Sequence, residues 1–422
     1  MTVDSTTGLH SLPISRRPAT SFQQKLRAIA FALVFNLGCL MINASQFVFL
    51  LPLRLLPFKW SRSLYDEGIR YTKGAFGCLL ILMCQWFSPT SLKVTFEPNG
   101  RGAVPQDIVE SIVERDQEGN VVSLNLPSKF VYIANHQVYA DWWYAWCFLY
   151  YNSSEAHRYI YITLKKSLRW VPIVGWGMQF FDFIFLARSW ASDRRQLATH
   201  LSLLGKYTES NQIPLGFLLY PEGTLVSRDT RPISRRFADK MGITDMVHVL
   251  LPKSTGLLYS LRSLSPRIKD LHLIDVTMVY PGIPPMGYGQ DYYTLRSMFF
   301  DGVAPPAVHM HVRLFKVEDL PIGDLSDTQP SKIPDTSPSK HAVEVEIPSQ
   351  EKEAFDLWLR NLWQEKDESI GRFHESGRFS EKELPVFDIP LKLRRKREIL
   401  DAFCFFLPAT VIGYLWGRLK VQ

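Results

Sequence analysis

The segment that decides the fold is Lys129-Phe-Val-Tyr-Ile-Ala134, followed directly by Asn135-His136-Gln-Val-Tyr-Ala-Asp141. Its first six residues have the apolar, β-branched and aromatic content of a short buried strand. The polar residues behind the strand occupy its carboxyl end, where α/β sheets place their reactive groups. A helix is predicted from Asp141 to Tyr150, so this segment predicts a strand, a polar turn and a helix in succession.

Further along the chain the same alternation of strands and helices returns. Strands are predicted at Gly216–Tyr220 and Leu271–Tyr280, and a helix at Asp193–Tyr207. Such alternation predicts an α/β fold with a mostly parallel sheet flanked by helices. Residues Val308–Val317 alternate with period two, which predicts an edge or antiparallel strand.

Composition excludes several classes of protein. A chain of 422 residues that is 46% hydrophobic and 13% aromatic is too apolar to be disordered. Regular charge between residues 93 and 390 excludes a multi-pass transporter. The net charge of +7 is a weak indication of anionic lipid or a polyanionic cosubstrate, and no nucleic-acid partner is expected.

The five cysteines show no paired spacing and lie in apolar runs, so we expect small buried side chains in a reducing compartment. Neither a zinc site nor a disulfide framework is predicted. His309 and His311 share one face of a predicted strand, but no third ligand is nearby, so no metal site is predicted.

Charge and hydropathy divide the chain into six parts. Residues 1–27 form a polar, basic N-terminal segment, and residues 28–92 a membrane-anchoring helix pair built from the uncharged runs Ala28–Leu53 and Gly74–Leu92. The first run is long enough to cross a hydrocarbon core of about 30 Å. Basic residues between the two runs leave two arrangements open: a two-span hairpin, or a re-entrant or interfacial helix pair.

Beyond this pair, residues 93–322 form the main α/β domain and residues 323–352 a Ser/Pro-rich insert predicted to be disordered. Residues 353–390 form a C-terminal helical part of the domain. Residues 391–422 combine a basic stretch with an apolar run, Ala402–Trp416, predicted to associate with a membrane.

His136 and Asp141 are the first candidate pair. If His136 lies in the turn and Asp141 in the first helical turn, the carboxylate can fold back to the imidazole. It would then fix one ring nitrogen as N–H and leave the other free as a base. The alternative is an Asn/His turn with an acidic residue near a helix N-terminus.

Two further segments carry candidate residues. Tyr220-Pro-Glu222-Gly223-Thr224 follows another strand, and Pro with Gly predicts a tight, exposed turn from which Glu222 and Thr224 project; the alternative is an ordinary surface turn. The segment from Lys165 to Arg188 mixes cations with large apolar residues, so a cation there could bind phosphate.

These motifs resemble the glycerolipid and lysophospholipid acyltransferases related to 1-acylglycerol-3-phosphate acyltransferase. Four blocks match in order: Asn135, His136 and Asp141; Lys165 through Arg188; Tyr220 to Thr224; and Leu250 to Gly256, which includes Pro252. Residues 187–194 and 358–367 are similar to the branch that contains lysocardiolipin and lysophosphatidylinositol acyltransferases. One departure is Leu225, where the family usually has an arginine.

The resemblance implies a glycerol-3-phosphate acyltransferase-like domain that transfers an acyl group from acyl-CoA to a lysophospholipid hydroxyl. His136 would be the general base and Asp141 would orient it. The remaining expected roles are acceptor phosphate binding by Lys165 and Arg188, an acceptor pocket of Glu222, Gly223 and Thr224, and an acyl-side wall at Pro252. No bound cofactor or metal is implied; acyl-CoA is a cosubstrate.

Leu225 favours an acceptor with a larger headgroup, such as lysophosphatidylinositol, because a bidentate cation for a phosphate monoester is missing. Lysophosphatidic acid is the alternative acceptor, and a non-catalytic membrane scaffold is the alternative from another class. The expected location is an integral membrane position, by default in the endoplasmic reticulum, with a mitochondrial membrane as the alternative.

Overall fold

The computed structural model describes residues 8–187, 190–325, 347–405 and 407–408, without the side chains of residues 190–192 and 195. Its strands are β1 Ser91–Phe96, β2 Val113–Arg115, β3 Val121–Leu124, β4 Lys129–Ala134, β5 Ile160–Lys165, β6 Ile184–Leu186, β7 Leu215–Leu219, β8 His272–Val279, β9 Ala307–Lys316 and β10 Phe387–Pro390. Its helices are α1 Phe22–Ser45, α2 Leu51–Leu55, α3 Lys59–Phe87, α4 Gln106–Ile112, α5 Asp141–Tyr150, α6 Val174–Phe180, α7 Trp190–Asn211, α8 Arg231–Met241, α9 Ser254–Leu264, α10 Ser349–Ser376 and α11 Glu398–Ala402.

Within the described residues, eight strands form one sheet in the order β10-β1-β9-β8-β4-β7-β5-β6. The block from β8 to β6 is entirely parallel, so the carboxyl ends of five strands meet at one edge. The α/β fold with a mostly parallel sheet is therefore confirmed. Its central strand is β4, the strand from which the prediction started.

Strand β9 is antiparallel to β8, as its alternating pattern predicted, but it does not lie at an edge. It pairs on its other side with β1, in parallel, and β1 in turn pairs with β10. These two partners come from distant parts of the chain. Local hydropathy gives no sign of such pairing, and of the two predicted alternatives the antiparallel one holds.

Helices cover both faces of the sheet, and β4 shows why. Phe130, Tyr132 and Ala134 pack into the core formed with α3 and α5, whereas Val131 and Ile133 pack into the core formed with α7, α9 and α10. Alternate residues of a strand point to opposite faces. A continuous apolar run is therefore what a strand needs when both faces are covered.

The N-terminal part forms an antiparallel helical hairpin. Helix α1 continues through a π-helical turn, Gln46–Leu50, into α2, and α3 returns beside it. The crossing is close because glycines face leucines: Gly38 lies against Leu79, and Gly68 against Leu50. Helices approach one another closely where a glycine leaves room for the neighbouring side chain.

The two uncharged runs of this hairpin have different surroundings. In α3, residues 79–84 have no exposed surface, because they pack between α1, α5 and the sheet. By contrast, Phe22–Leu55 is long and apolar enough to cross a membrane, with a mean hydropathy of 1.9, and only 33% of its most apolar window is buried. It is the one such helix among the described residues.

Helix α10 begins at Ser349, inside the stretch 323–352 that composition assigned to the disordered insert. Its first turn is fixed by an ion pair of 2.9 Å between Glu351 and Arg262 of α9, which the local composition does not reveal. Residues 326–346 lie outside the described part of the chain. So does most of the apolar run predicted to associate with a membrane near the C-terminus.

Asn135 joins β4 to β8 beyond the end of the strand ladder. Its Nδ2 donates to the carbonyl of Met278 at 2.9 Å, and its Oδ1 accepts from the N–H of Met278 at 2.7 Å. The side chain has no exposed surface. It therefore completes the pairing of two backbone groups that would otherwise be buried without partners.

We expect Asn135→Ala to lower the free energy of unfolding by about 2–5 kcal/mol, because each buried backbone group left unpaired costs about 1–3 kcal/mol. Asn99→Ala is the matched control, since Asn99 is exposed and only its backbone is hydrogen-bonded. Thermal unfolding of both purified variants in the same detergent measures the difference. Equal melting temperatures for the two variants would contradict the prediction.

Candidate active site

His136 and Asp141 lie in direct contact at the carboxyl end of β4. His136 Nδ1 is 2.7 Å from Asp141 Oδ2, across a turn that ends where α5 begins. A carboxylate only accepts hydrogen bonds, so this contact places the ring hydrogen on Nδ1 and leaves Nε2 as a base. The predicted arrangement of turn histidine and helical aspartate is thus the one that the structure shows.

The Asp141 carboxylate is fully buried, and both of its oxygens accept hydrogen bonds. Its Oδ2 also accepts the N–H groups of Gln137 at 2.7 Å and Val138 at 3.0 Å. Its Oδ1 accepts the hydroxyl of Tyr280 at 2.6 Å. Tyr280 follows β8, so the strand on the other side of β4 from β7 also contributes. Sequence analysis did not identify Tyr280, because it ends an apolar strand without a recognisable motif.

The His136 ring is held from a second direction by Tyr220. The two ring centroids are 4.6 Å apart, with an interplanar angle of 28°. Tyr220 follows β7, the strand paired with β4 in parallel. The His136 side chain keeps 20% of its surface exposed, so the ring is fixed in place yet still accessible.

Glu222 does not project from its turn as the sequence suggested; its side chain is 1% exposed. Oε1 accepts the N–H of His136 at 3.1 Å, and Oε2 accepts the N–H of Leu250 at 3.1 Å. Burial raises the pKa of the Glu222 carboxyl to about 8, and these two N–H groups limit the rise. Glu222 therefore acts through His136 and the Leu250 loop rather than by direct contact with solvent.

Gly223 gives the turn its shape. It has φ of +72°, a backbone conformation that side chains with a Cβ rarely adopt, and its N–H donates to the carbonyl of Tyr220 at 2.9 Å. The N–H of Lys253 donates to the carbonyl of Pro221 at 2.8 Å, which ties the fourth sequence block to the third. The Lys253 Nζ lies 3.4 Å from the point that a Cβ on Gly223 would occupy.

The other predicted substrate-binding residues lie around the same edge. Lys165 is the exposed last residue of β5, next to β7, and Thr224 and Pro252 are half-buried. Arg188 lies outside the described residues. Lys253 falls within the fourth sequence block, and its position beside Gly223 makes it a further candidate cation.

Leu225, which stands where the family usually has an arginine, is a buried residue. Leu225 is 7% exposed, so an apolar side chain replaces the family's usual cation in a buried position. Arg228, the cation that could substitute, pairs instead with Asp291 at 2.8 Å and lies over the ring of Tyr288. Within the described contacts, neither residue supplies a charge next to His136.

A cavity of about 500 Å³ borders the residue that follows His136. Its wall includes Gln137, Val226, Arg231, His248, Met286 and His374. The wall contains both polar and apolar side chains, and α10 contributes His374. The cavity therefore places open space beside the turn that carries His136.

The two histidines of β9 are occupied by packing and hydrogen bonds. His311 contacts Thr95 Oγ1 through Nδ1 at 2.9 Å and Glu97 Oε2 through Nε2 at 3.1 Å. His309 packs edge-on against Phe373. In the part of the chain that the structure describes, no group of three or more His, Cys, Asp or Glu side chains is arranged to hold a metal ion.

Comparison with known proteins finds acyltransferases. Residues 119–279 match the acyltransferase family and residues 339–399 match the family described as acyltransferase C-terminus. An uncharacterized acyltransferase of Schizosaccharomyces pombe is 31% identical over 389 residues, which cover 92% of this chain and 96% of that protein.

Two further relatives carry names of specific reactions. The 2-acyl-1-lysophosphatidylinositol acyltransferase of Saccharomyces cerevisiae is 32% identical over 74% of this chain and 76% of its own. Lysocardiolipin acyltransferase 1 of Gallus gallus is 28% identical over 59% of this chain and 54% of its own. Two relatives above 30% identity that span most of the chain, together with the network of motif residues at one sheet edge, show that the chain belongs to the acyltransferase family.

Proposed function

We propose that the protein is an acyl-CoA-dependent lysophospholipid acyltransferase. The observation that carries this proposal is the pair of His136 and Asp141, with Nε2 free at the edge where five parallel strands end. Nε2 takes the proton of the acceptor hydroxyl while its oxygen attacks the thioester carbonyl. The new C–O bond forms, the C–S bond breaks, and the proton passes from His136 to the leaving CoA thiolate.

The network around the pair suits this proton transfer. Asp141 stabilises the imidazolium that forms during the step, and the fixed hydrogen on Nδ1 keeps Nε2 the reacting atom. Besides the ring, Asp141 accepts hydrogen bonds from three further donors, which replace the water that its buried side chain lacks. Neither a covalent acyl-enzyme nor a metal ion is needed for the transfer.

Lysophosphatidylinositol or a similar lysophospholipid is the proposed acceptor. Leu225 is buried and Arg228 is paired with Asp291, so the dense cation cluster that suits a phosphate monoester is weakened. Lys165 and Lys253 still provide cations for a phosphodiester. The Saccharomyces relative named for lysophosphatidylinositol supports the same acceptor, and the cavity beside Gln137 offers room for a headgroup.

Lysophosphatidic acid remains the second candidate acceptor. A relative from Arabidopsis thaliana, named a probable 1-acyl-sn-glycerol-3-phosphate acyltransferase, is 28% identical over 69% of this chain. A non-catalytic scaffold is the candidate from a different class. Consumption of acyl-CoA by the purified protein separates an enzyme from a scaffold.

The N-terminal helix supports attachment to a lipid bilayer. One side of α1 packs on the domain, while the opposite side exposes apolar residues at helical spacing. These residues, which we call the apolar stripe, are Leu26, Ile29, Leu33, Leu37 and Leu40. A continuous exposed apolar surface of this kind marks a membrane or protein contact. An integral membrane position is proposed, with the endoplasmic reticulum as the default membrane.

His136→Ala is expected to reduce kcat at least about 100-fold without unfolding the protein, because the general base is lost. Asp141→Asn should cost nearly as much by removing the carboxylate that fixes the tautomer. His272→Ala, at the far end of β8, is the matched control. Initial rates with acyl-CoA and lysophosphatidylinositol measure the effect; residual turnover of His136→Ala within tenfold of the parent would show that His136 is not the base.

The acceptor preference is tested by competition between equal amounts of lysophosphatidylinositol and lysophosphatidic acid. We expect a higher kcat/KM for lysophosphatidylinositol, because each lost charge-assisted hydrogen bond costs a doubly charged acceptor about 1.5–3 kcal/mol. Leu225→Arg should shift the preference toward lysophosphatidic acid. If lysophosphatidic acid is preferred tenfold or more by the parent, the argument from Leu225 is wrong.

Membrane attachment is expected to survive a wash in 1 M salt. At this concentration the Debye length is about 3 Å, so attraction between basic residues and anionic lipid is screened, whereas the burial of apolar side chains in the bilayer is not. The triple variant Ile29→Ser, Leu33→Ser, Leu37→Ser removes the centre of the apolar stripe and should be released by the same wash. Fractionation of lysates by ultracentrifugation measures both. Release of the parent protein by salt alone would overturn the integral attachment.

A further inference from the structure

One turn of helix α10, Trp363 to Asp367, packs behind the candidate active site. It belongs to the C-terminal part of the chain, well beyond residues 119–279 that match the acyltransferase family. Sequence analysis singled out residues 358–367 only for their resemblance to one branch. The contacts of this turn give two of its side chains, Asp367 and Lys366, a specific place in the site.

Asp367 binds three consecutive backbone N–H groups. Its Oδ2 accepts from Val247 at 2.9 Å, and its Oδ1 accepts from His248 at 2.6 Å and from Val249 at 3.1 Å. A carboxylate that accepts several backbone N–H groups forms short, strong, charge-assisted bonds. The loop of residues 247–249 is therefore fixed to α10 by one side chain.

The next N–H of this loop belongs to the active site. Leu250 donates to Glu222 Oε2 at 3.1 Å, and Glu222 Oε1 accepts the N–H of His136 at 3.1 Å. The carbonyl of His136 in turn accepts the N–H of Val226 at 3.1 Å. Direct hydrogen bonds thus run from Asp367 through residues 247–250 and Glu222 to the backbone of the histidine.

Lys366, one residue earlier, fixes α10 to the sheet. It has no exposed side-chain surface, and its Nζ lies 2.8 Å from both Asp275 Oδ1 and the carbonyl of Val276 in β8. Strand β8 is the neighbour of β4. Burial raises the pKa of the Glu222 carboxyl and the Lys366 ammonium opposes that rise, so the same turn acts on the glutamate from a second side.

We propose that Asp367 is a positioning residue of the active site, which fixes the loop of residues 247–250 and, through Glu222, the backbone of His136. The inference rests on the proposed function, because it assigns Asp367 a role in that reaction. It gives a part in catalysis to α10, which lies outside the motifs that contain His136 and Glu222. Asp367 touches no reacting atom; it acts on the geometry of residues that do.

The test compares Asp367→Asn with Glu368→Gln. Both substitutions replace a carboxylate by its amide on the same helix, but Glu368 is exposed, and within the described residues its carboxylate accepts a hydrogen bond from Gln364 of the same helix alone. For Asp367→Asn we expect kcat to fall about 10- to 100-fold with KM for both substrates within about threefold, because misplacing a catalytic group costs turnover. Glu368→Gln should match the parent, and Asp367→Glu should recover part of the lost kcat.

Amide hydrogen exchange followed by mass spectrometry supplies a readout that does not depend on activity. In Asp367→Asn, peptides that contain residues 247–250 and the amide of His136 should exchange faster, while peptides from the far end of β8 do not change. Rates are normalised to the folded fraction, measured by thermal unfolding, so a global loss of stability is separated from a local one.

Each outcome decides the inference. A kcat for Asp367→Asn within threefold of the parent, or unchanged exchange at residues 247–250 and His136, would overturn it. If the parent protein transfers no acyl group at all, the proposed function fails, and exchange alone then decides whether Asp367 holds the loop and the histidine. If Asp367→Asn does not fold, the kcat and exchange of Asp367→Glu are used in its place, and values equal to the parent's count against the inference.

Discussion

A carboxylate taken out of water loses several kcal/mol of solvation, about as much as a folded domain can spare, unless donors replace the water. Asp141 meets this cost with four donors: the His136 ring, the N–H groups of Gln137 and Val138, and the Tyr280 hydroxyl. Each donor comes from a segment placed by the fold. The turn after β4, the start of α5 and the end of β8 are therefore joined by the hydrogen bonds of one carboxylate.

The parallel block of the sheet makes that convergence feasible. Because neighbouring parallel strands end at the same edge, the residues after β8, β4, β7 and β5 meet there without long loops. Tyr280, His136, Tyr220 and Lys165 are the residues at those four ends. Strand β9 and its partner β1 run opposite to the parallel block, so they bring their first residues to this edge rather than their last.

Features that depend on local sequence could be predicted, whereas features that depend on neighbouring strands could not. The strand–turn–helix segment at 129–150 has a local pattern that names its own elements, and the structure has the predicted bounds for both β4 and α5. The pairing of His136 with Asp141 followed from the same local spacing. Tyr280 and the inward turn of Glu222 did not follow, because both depend on which strands and loops lie beside them.

The N-terminal helices show that hydropathy alone does not predict what surrounds an apolar segment. Two uncharged runs look alike in composition, yet α3 is a layer of the core and α1 exposes one side. The difference arises from neighbours: α5 and the sheet cover α3, and nothing in the described chain covers the apolar stripe of α1. Apolar content alone measures the preference of a segment to leave water, not whether protein or lipid receives it.

Helix α1 also supports the segment between Lys165 and the end of β6, for which substrate binding is proposed. Ile173 in that segment has φ of 67° and ψ of −68°, the strained geometry of a γ-turn closed by a bond from Val174 to Pro172. A β-branched residue holds such a conformation only where its surroundings fix it. Asn43 of α1, 4% exposed, supplies that support by donating to the carbonyl of Ile173 at 2.7 Å. The helix whose outer side carries the apolar stripe thus holds, on its inner side, the segment that begins at the candidate phosphate ligand Lys165, so the proposed attachment and the proposed acceptor binding share one structural element.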